Sequence, residues 1–271
     1  SILQQYFGSS EGVEFDVYFT EGTLARTHYI IRVDNNNVDV DVNEIQNNLI
    51  EAARSWDDRL SGVLLSHYGE ARGNALARRF SAAFPRAYKE DVLPGLAVAD
   101  IIQLEALSEQ APLGMLFYRA QEESDLRKVR LKLFHQREPI HLSDVLPMLE
   151  NMGLRVIGET PYQVRNPMGE IFWILDFSML FSGSSLNLEE CQTRFQEAFA
   201  AVWNKQLEDD GFNRLVLGAG LAGRQVSVLR AYAKYMRQTG VSFSQTYIEE
   251  TLTRYPQIAR RLFELFDQRL N

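Results

Sequence analysis

Between residues 113 and 205 the hydrophobic period switches between two and three-to-four in a fixed order. KVRLKLFHQ alternates Val129, Leu131 and Leu133 on one side with Arg130, Lys132 and Phe134 on the other, the period of a strand. GMLFYRA, just before it, is a second strand. LSDVLPMLENMG reads as a helix closed by Gly153, a residue type suited to a left-handed C-terminal cap. Pro147 fits that helix only in or near its first turn. LRVIGETPYQVRN and GEIFWILDFSMLF read as two strands joined through Asn166-Pro167-Met168-Gly169. A helix from Leu188 then sets Cys191, Phe195, Ala198, Phe199 and Val202 along one face, with Asn187 placed to cap it and Glu190 at the capping-box position. The order ββαββα suits an antiparallel sheet with helices on one face, the ferredoxin-like plan of an α+β fold.

A shorter echo stands near the start. VEFDVYF places Val13, Phe15, Val17 and Phe19 on one half-buried face, and THYIIRV (27–33) pairs with it across a turn at Gly22. DNNNVDVD is a polar loop. A helix from Asn43 comes next, carrying Ile45, Leu49, Ala52, Ala53 and Trp56, with a continuation toward Leu60 and Leu64. The repeat of ββα points to a weak internal duplication. A second helix spans Glu70 to Phe84, before Pro85, and a third spans Ala99 to Leu107 with Asp100 as its cap. Three helices close the chain. RQVSVLRAYAKYMRQTG buries Val226, Leu229, Tyr232, Ala233 and Met236. A helix started by Ser242 or Ser244 buries Tyr247, Ile248 and Leu252. PQIARRLFELFDQRL buries Ile258, Leu262, Leu265 and Phe266, and its apolar stripe leads to the expectation that more chain lies beyond it. Ser1 in place of Met likewise suits a processed or excised product.

With 36 acidic against 28 basic residues, a net charge of −8, the chain lacks the basic surface that non-specific nucleic-acid or anionic-membrane binding needs. No apolar run is long enough to span a bilayer. The single Cys191 and the lack of a signal-peptide pattern lead to the expectation of a reducing, cytoplasmic setting.

RLVLGAGLAG holds Gly218, Gly220 and Gly223 in the G-x-G-x-x-G spacing of a dinucleotide turn. That chemistry needs a βαβ unit and an acid about 20 residues on to hold the ribose. Here the helix leads to VSFSQT, without an acid. Phe212, Leu215, Val216 and Ala219 also fall at helical spacing, so 212–221 is expected to be a helix whose glycines admit a close neighbour, not a cofactor site. His28, His67, His135 and His141 show no metal-ligand spacing. Asp57-Asp58 and Glu208-Asp209-Asp210 read as solvated helix ends. No nucleophile–base motif is evident, and the expectation is that this chain holds no catalytic, metal or cofactor residues.

LRAYAKYMRQTG, FSQTYIEETL and P-x-IARRLFELF, together with SWDDRLSGVLL, ARRFSAAFPRAYKEDVLPGLAVADIIQLEAL and TLARTHYIIRVD, resemble the large bacterial NAD-dependent glutamate dehydrogenases. The resemblance implies a fragment N-terminal to the catalytic domain. It divides into a partial ACT-like hairpin–helix unit (1–55), a helical connector (56–110), an ACT-like α+β domain (111–210) and a helical linker toward the catalytic domain (211–271). REPIHLSDVLPMLENMGLRVIG is similar to the ACT pattern, which implies an effector loop at Arg137, Pro139, Ile140 and His141. Ile140 stands where that pattern has a ligand-admitting glycine, and a β-branched residue resists the backbone conformations that glycine permits.

The resemblance further implies a non-catalytic regulatory or assembly portion of an enzyme that oxidises L-glutamate with NAD. NAD would be bound elsewhere in the full-length protein. The remainder of the polypeptide, further subunits of a homo-oligomer and an amino-acid effector would be its partners. A free-standing amino-acid sensor and a pure oligomerisation scaffold are the alternatives, and a stand-alone NAD enzyme using the glycine triplet is a further rival.

Overall fold

A computed structural model describes residues 6–7, 14–19, 25–32 and 41–270. The chain divides into two compact units, Ser1–Gly62 and Val63–Asn271.

In the first unit, β1 (Glu14–Phe19) and β2 (Ala25–Ile30) form an antiparallel pair with Phe15 opposite Tyr29 and Val17 opposite Thr27. The second strand lies two residues earlier than its alternation predicts. The turn at Gly22 and most of the polar loop fall outside the described residues. The half-buried face expected of this hairpin is open: Phe15 is 63% and Val17 43% exposed. Helix α1 (Val42–Ala53) starts where Asp41 Oδ1 accepts the amides of Asn43 and Glu44, at 2.8 and 3.3 Å. It does not run on through Leu60 as expected. Ser55 starts a new helix, its Oγ accepting the Asp58 amide at 3.1 Å while the Asp58 carboxylate accepts the Ser55 amide at 3.3 Å.

That helix, α2 (Trp56–Phe80), kinks at Gly69, whose φ of 74° and ψ of 176° leave the helical region. The kink separates the helix predicted from Glu70 from the residues before it. α3 (Arg86–Asp91) and α4 (Pro94–Ala106) come next. Asp100 is not a cap. Pro94 opens α4 with Leu93 in the extended cap conformation, which leaves Asp100 on the helix's buried face beside Ala97, Ile101 and Leu104.

The second unit is built on one sheet. β3 (Leu113–Tyr118), β4 (Lys128–Gln136), β5 (Leu154–Arg165) and β6 (Ile171–Phe181) lie in the order β3-β4-β6-β5, every neighbour antiparallel. β4 and β5 therefore run parallel on either side of β6, joined by α5 (Leu142–Asn151), the split βαβ of a ferredoxin-like fold. Gly153, at φ 81°, ends α5 as the sequence predicts. Pro147 sits in the second turn of α5 rather than its first, where it removes the helical bond to Ser143. Pro161 is tolerated because β5 is an edge strand. The β5–β6 turn closes on Asn166, whose side-chain oxygen accepts the amides of Met168 and Glu170 at 3.1 and 2.9 Å.

Helix α6 (Leu188–Trp203) covers one face with Phe195 stacked on Phe117, ring centroids 4.1 Å apart. Asn187 does not cap the backbone of α6. Its side-chain amide donates instead to Glu190 at 2.9 Å, which uses both members of the expected box on each other. α6 also contacts the β3 edge strand. Gln192 and Gln196, one turn apart, donate to the carbonyls of Phe117 and Met115 at 2.8 and 3.1 Å, which occupies two acceptors of this strand.

The sequence assigned helices to one face of the sheet. The structure covers both. Leu131, Leu133, Phe177 and Met179 join the core under α5 and α6. On the reverse, Phe134, Phe172, Ile174 and Val164 are buried with Phe80, Tyr88, Ile101 and Leu104 of the preceding helices. Phe80 meets Phe172 at 6.0 Å between ring centroids.

A 3₁₀ turn (Gly211–Asn213), α7 (Arg214–Gly218), α8 (Gly223–Gln238), α9 (Gln245–Arg254) and α10 (Pro256–Leu270) complete the chain. Ser244 caps α9, accepting the Tyr247 amide at 3.1 Å. Several predicted core positions here are exposed, among them Tyr232 (50%), Tyr247 (53%) and Leu265 (63%), because Arg230 and Ala233 of α8 and Ala259 of α10 take the inner positions.

Candidate functional site

The expected effector turn links β4 to α5. Arg137 holds φ 73°, and its amide donates to the Ile171 carbonyl at 2.8 Å. Its guanidinium is exposed and lies 3.6 Å from Glu109. The Glu138 carbonyl engages His135 Nδ1 at 2.9 Å, and as an acceptor it requires the proton on that nitrogen. Pro139 and His141 face solvent. His141 precedes the first turn of α5 without capping it through its side chain. Ile140 is buried in the core with Val145 and Leu149. The isoleucine in place of glycine is thus a packing residue, and the polar members of the turn stand outside.

The glycine triplet lies in a helix–turn–helix. Gly218 ends α7, Gly220 has φ 66°, and Gly223 opens α8. The expectation of one helix over 212–221 fails at Gly220, where the chain turns left-handed. Close approach holds at Gly223, where an added Cβ would lie 2.5 Å from Leu207 Cδ1 and 3.4 Å from Ala198 Cβ of α6. A dinucleotide turn needs a strand feeding the glycines. Here a 3₁₀ turn and a five-residue helix feed them, and the residues do not fit a pyrophosphate cradle.

The densest ionisable cluster was not anticipated as a unit. It lies on the reverse face of the sheet, under α3 and α4. Lys132 Nζ donates to Asp100 Oδ2 at 2.6 Å, with side-chain exposures of 6% and 2%. The Tyr88 hydroxyl donates to the same oxygen. One register position along, Arg130 grips Asp176 through two bonds of 3.2 and 2.9 Å. Lys132 stands opposite Asp176 across the β4–β6 pair, and Arg130 opposite Tyr118 across β3–β4. The Lys132 ammonium also faces the Tyr88 and Tyr118 rings at 5.7 and 5.9 Å. Burial pushes both carboxyls up, and the neighbouring cations pull them back. Burial and the facing carboxylates hold the hydroxyls of Tyr88 and Tyr118 well above the usual tyrosine range. Two cations meet two carboxylates, each carboxylate held by direct bonds. The arrangement fastens the helical layer to the sheet, and it presents no free base or nucleophile.

One sequence signal marked this cluster. Asp176 interrupts the most apolar stretch of the chain, and Arg130 and Lys132 share a strand face with Phe134. An acid in such a run and basic residues beside an aromatic imply a covered face. A second ion pair corrects the reading of Glu208-Asp209-Asp210 as solvated at Asp210 alone, since Glu208 and Asp209 are exposed as expected. Asp210 accepts two bonds from Arg230, at 2.7 and 2.8 Å, and Arg230 also donates to Asn213 at 2.9 Å. Among the described residues no group of three or more His, Cys, Asp or Glu side chains is placed to hold a metal, and no helix is long and apolar enough to cross a membrane.

The ββαββα order, the split βαβ and the helices on the sheet define an ACT-like α+β domain. Comparison with known families matches four consecutive models: "Glutamate dehydrogenase, ACT2 domain" over residues 1–57, "helical motif 2" over 63–107, "ACT3 domain" over 112–191 and "helical motif 3" over 207–271. The NAD-specific glutamate dehydrogenase of Halomonas elongata is 42% identical over 260 residues, 95% of this chain. Those of Pseudomonas aeruginosa and Mycobacterium tuberculosis are 40% and 36% identical, over 94% and 98% of the chain. The chain belongs to the NAD-specific glutamate dehydrogenase family. It spans about 16% of the length of these relatives.

Proposed function

We propose that this chain is a non-catalytic regulatory and assembly portion of a longer NAD-specific glutamate dehydrogenase. The full-length polypeptide would convert L-glutamate, NAD and water to 2-oxoglutarate, ammonia and NADH. Hydride would pass from the substrate Cα to the nicotinamide in a region outside these 271 residues, and NAD would bind there. One observation carries this reading: the similarity runs through 94–98% of the chain yet meets only 16–17% of each relative. The remainder of the polypeptide and further copies in a homo-oligomer are the proposed partners. A cytoplasmic location accords with the single, buried cysteine. The test is whether a full-length protein carrying a clean deletion of 112–191 keeps its subunit stoichiometry and its response to amino acids. Loss of either supports the reading, and an enzyme unchanged in both contradicts it.

The turn at Arg137, Pro139, Ile140 and His141 is the proposed effector loop. The exposed Arg137 guanidinium and the first turn of α5, which His141 leaves without a side-chain cap, suit the carboxylate of an amino acid. Its rival is pure assembly, which the burial of Ile140 favours. Arg137→Ala in the full-length enzyme separates the two. A lost amino-acid response with unchanged subunit number supports the effector loop, and an unchanged response supports assembly.

A further inference from the structure

Two guanidiniums converge on the turn between α7 and α8. A Cβ placed on Gly220 would lie 2.8 Å from Arg260 Nη2 and 3.8 Å from Arg194 Nη2. The two nitrogens therefore stand within about 7 Å of each other, where like charges repel appreciably at the effective dielectric of a protein surface. Arg194 belongs to α6, and Arg260 to α10, one residue past the buried Ala259.

Neither arginine has a carboxylate partner among the described residues. The contrast with the rest of this unit is sharp: Arg79 grips Glu170, Arg130 grips Asp176 and Arg230 grips Asp210. Glu190, one turn before Arg194 on α6, has its carboxylate engaged by the Asn187 amide at 2.9 Å and offers Arg194 Nη2 only its backbone carbonyl. Arg194 Nε is withdrawn from water and meets no acceptor among the described residues. A desolvated donor left unmet is costly, more so when it carries charge, and native proteins keep few of them. In a guanidinium, Nε and Nη2 form one edge of a planar fork, the edge that suits an oxyanion. The unmet donor thus shares an edge with the atom nearest the turn.

Gly220 supplies room and not donors. The amides on either side of it, of Ala219 and Leu221, already donate to the Leu215 carbonyl at 3.0 and 3.3 Å. A side chain at 220 would push into the Arg260 guanidinium. Glycine at φ 66° both makes the turn and lets Arg260 settle against it.

We infer that Arg194 and Arg260 form a binding site for a phosphoryl dianion, either free phosphate or the phosphate of a small monoester. Two cations call for two negative charges. Forks that arrive from two helices call for oxygens that do not share one plane, which a tetrahedral phosphoryl group has and a single carboxylate lacks. NAD does not meet this requirement, because its two phosphates are diesters with one charge each. The bound anion fastens α10 to α6, and so the C-terminal helices to the sheet domain. The inference stands apart from the reading of the chain as part of a longer enzyme.

Calorimetric titration of the 271-residue chain with inorganic phosphate, at an ionic strength held constant with chloride, tests it. One saturable site is expected. Arg194→Gln and Arg260→Gln should each weaken binding about tenfold, through the loss of one charged fork. Arg269→Gln removes the same charge from an exposed position in the last turn of α10 and should leave binding nearly unchanged. Competition by phenyl phosphate would assign the site to monoesters, and binding of phosphate alone would assign it to the free ion. Lack of saturable binding at millimolar phosphate, or equal weakening by all three variants, would overturn the inference. Displacement of phosphate by NAD would overturn it in favour of a dinucleotide. Arginine modification by phenylglyoxal, read by mass spectrometry on the unsubstituted chain, keeps the answer independent of how the variants fold. Phosphate should slow the modification of Arg194 and Arg260 several-fold and leave Arg269 at its rate in chloride. Equal rates in phosphate and chloride at Arg194 and Arg260 would overturn the site.

Discussion

Lys132 on β4 and Asp100 on α4 meet at 2.6 Å with almost no exposure to water. The pair connects the sheet to the helices that cover its reverse face. Two ions taken out of water gain little net stability from their attraction, but removing one leaves the other buried and unpaired. Lys132→Met should therefore cost about 3–5 kcal/mol in urea unfolding. The double variant Lys132→Met with Asp100→Leu should recover much of that loss. A double variant no more stable than the single one would show that the pair is not what holds the layer.

Acid stability should depend on Glu170. The Arg79 guanidinium, bonded to it at 2.9 and 3.0 Å, holds its carboxyl below the ordinary glutamate range. A carboxyl lowered in the folded state adds stability above its unfolded value, and that stability is lost as pH falls through the folded value. Asp100 and Asp176 are shifted upward by burial, so their stabilising contribution lies at low pH and is lost as pH rises through their folded values. Denaturant unfolding between neutral and acid pH should show a stability loss on acidification that Glu170→Gln makes shallower. An identical slope in the variant would remove the Arg79–Glu170 pair as a cause.

The glycines of 218–223 should respond unequally. An added Cβ at Gly218 meets nothing within 4 Å, so Gly218→Ala should be neutral or slightly stabilising. Gly220 has φ 66°, and a side chain there costs about 1–2 kcal/mol for the left-handed backbone. Calorimetry should show no saturable NAD binding by the parent chain or either variant. Saturable binding abolished by Gly220→Ala would restore the dinucleotide reading.

Cys191 is buried against the core, and burial pushes its thiol up. The thiolate is the reactive form. Thiol reagents should label the native chain slowly and the urea-unfolded chain at the rate of a free cysteine. Fast labelling of the folded protein would place Cys191 at an accessible surface.

The antiparallel module was legible because its period changes coincide with its elements. KVRLKLFHQ is β4 residue for residue, and the C-terminal glycine of α5 stands where expected. The second layer on the sheet was not, since alternation shows which residues share a face but not which faces are covered. Asp100 illustrates the gap. An aspartate near a helical run suits a cap, and only the long-range approach of Lys132, 32 residues on, makes it a buried partner. The stripe of Ile258, Leu262 and Leu265 on α10 misled in the opposite direction. Its spacing is that of a core helix, yet within this chain nothing described covers it. Gly220 escaped because apolar residues before and after a left-handed glycine keep helical spacing through the turn.

If this chain serves a glutamate dehydrogenase without carrying its chemistry, glutamate-dependent NADH formation separates the purified 271-residue chain from the full-length polypeptide when both are assayed in parallel. NADH should form with the full-length protein and not with the chain. NADH formation that copurifies with the chain alone, or a full-length protein with no such activity, would contradict this reading.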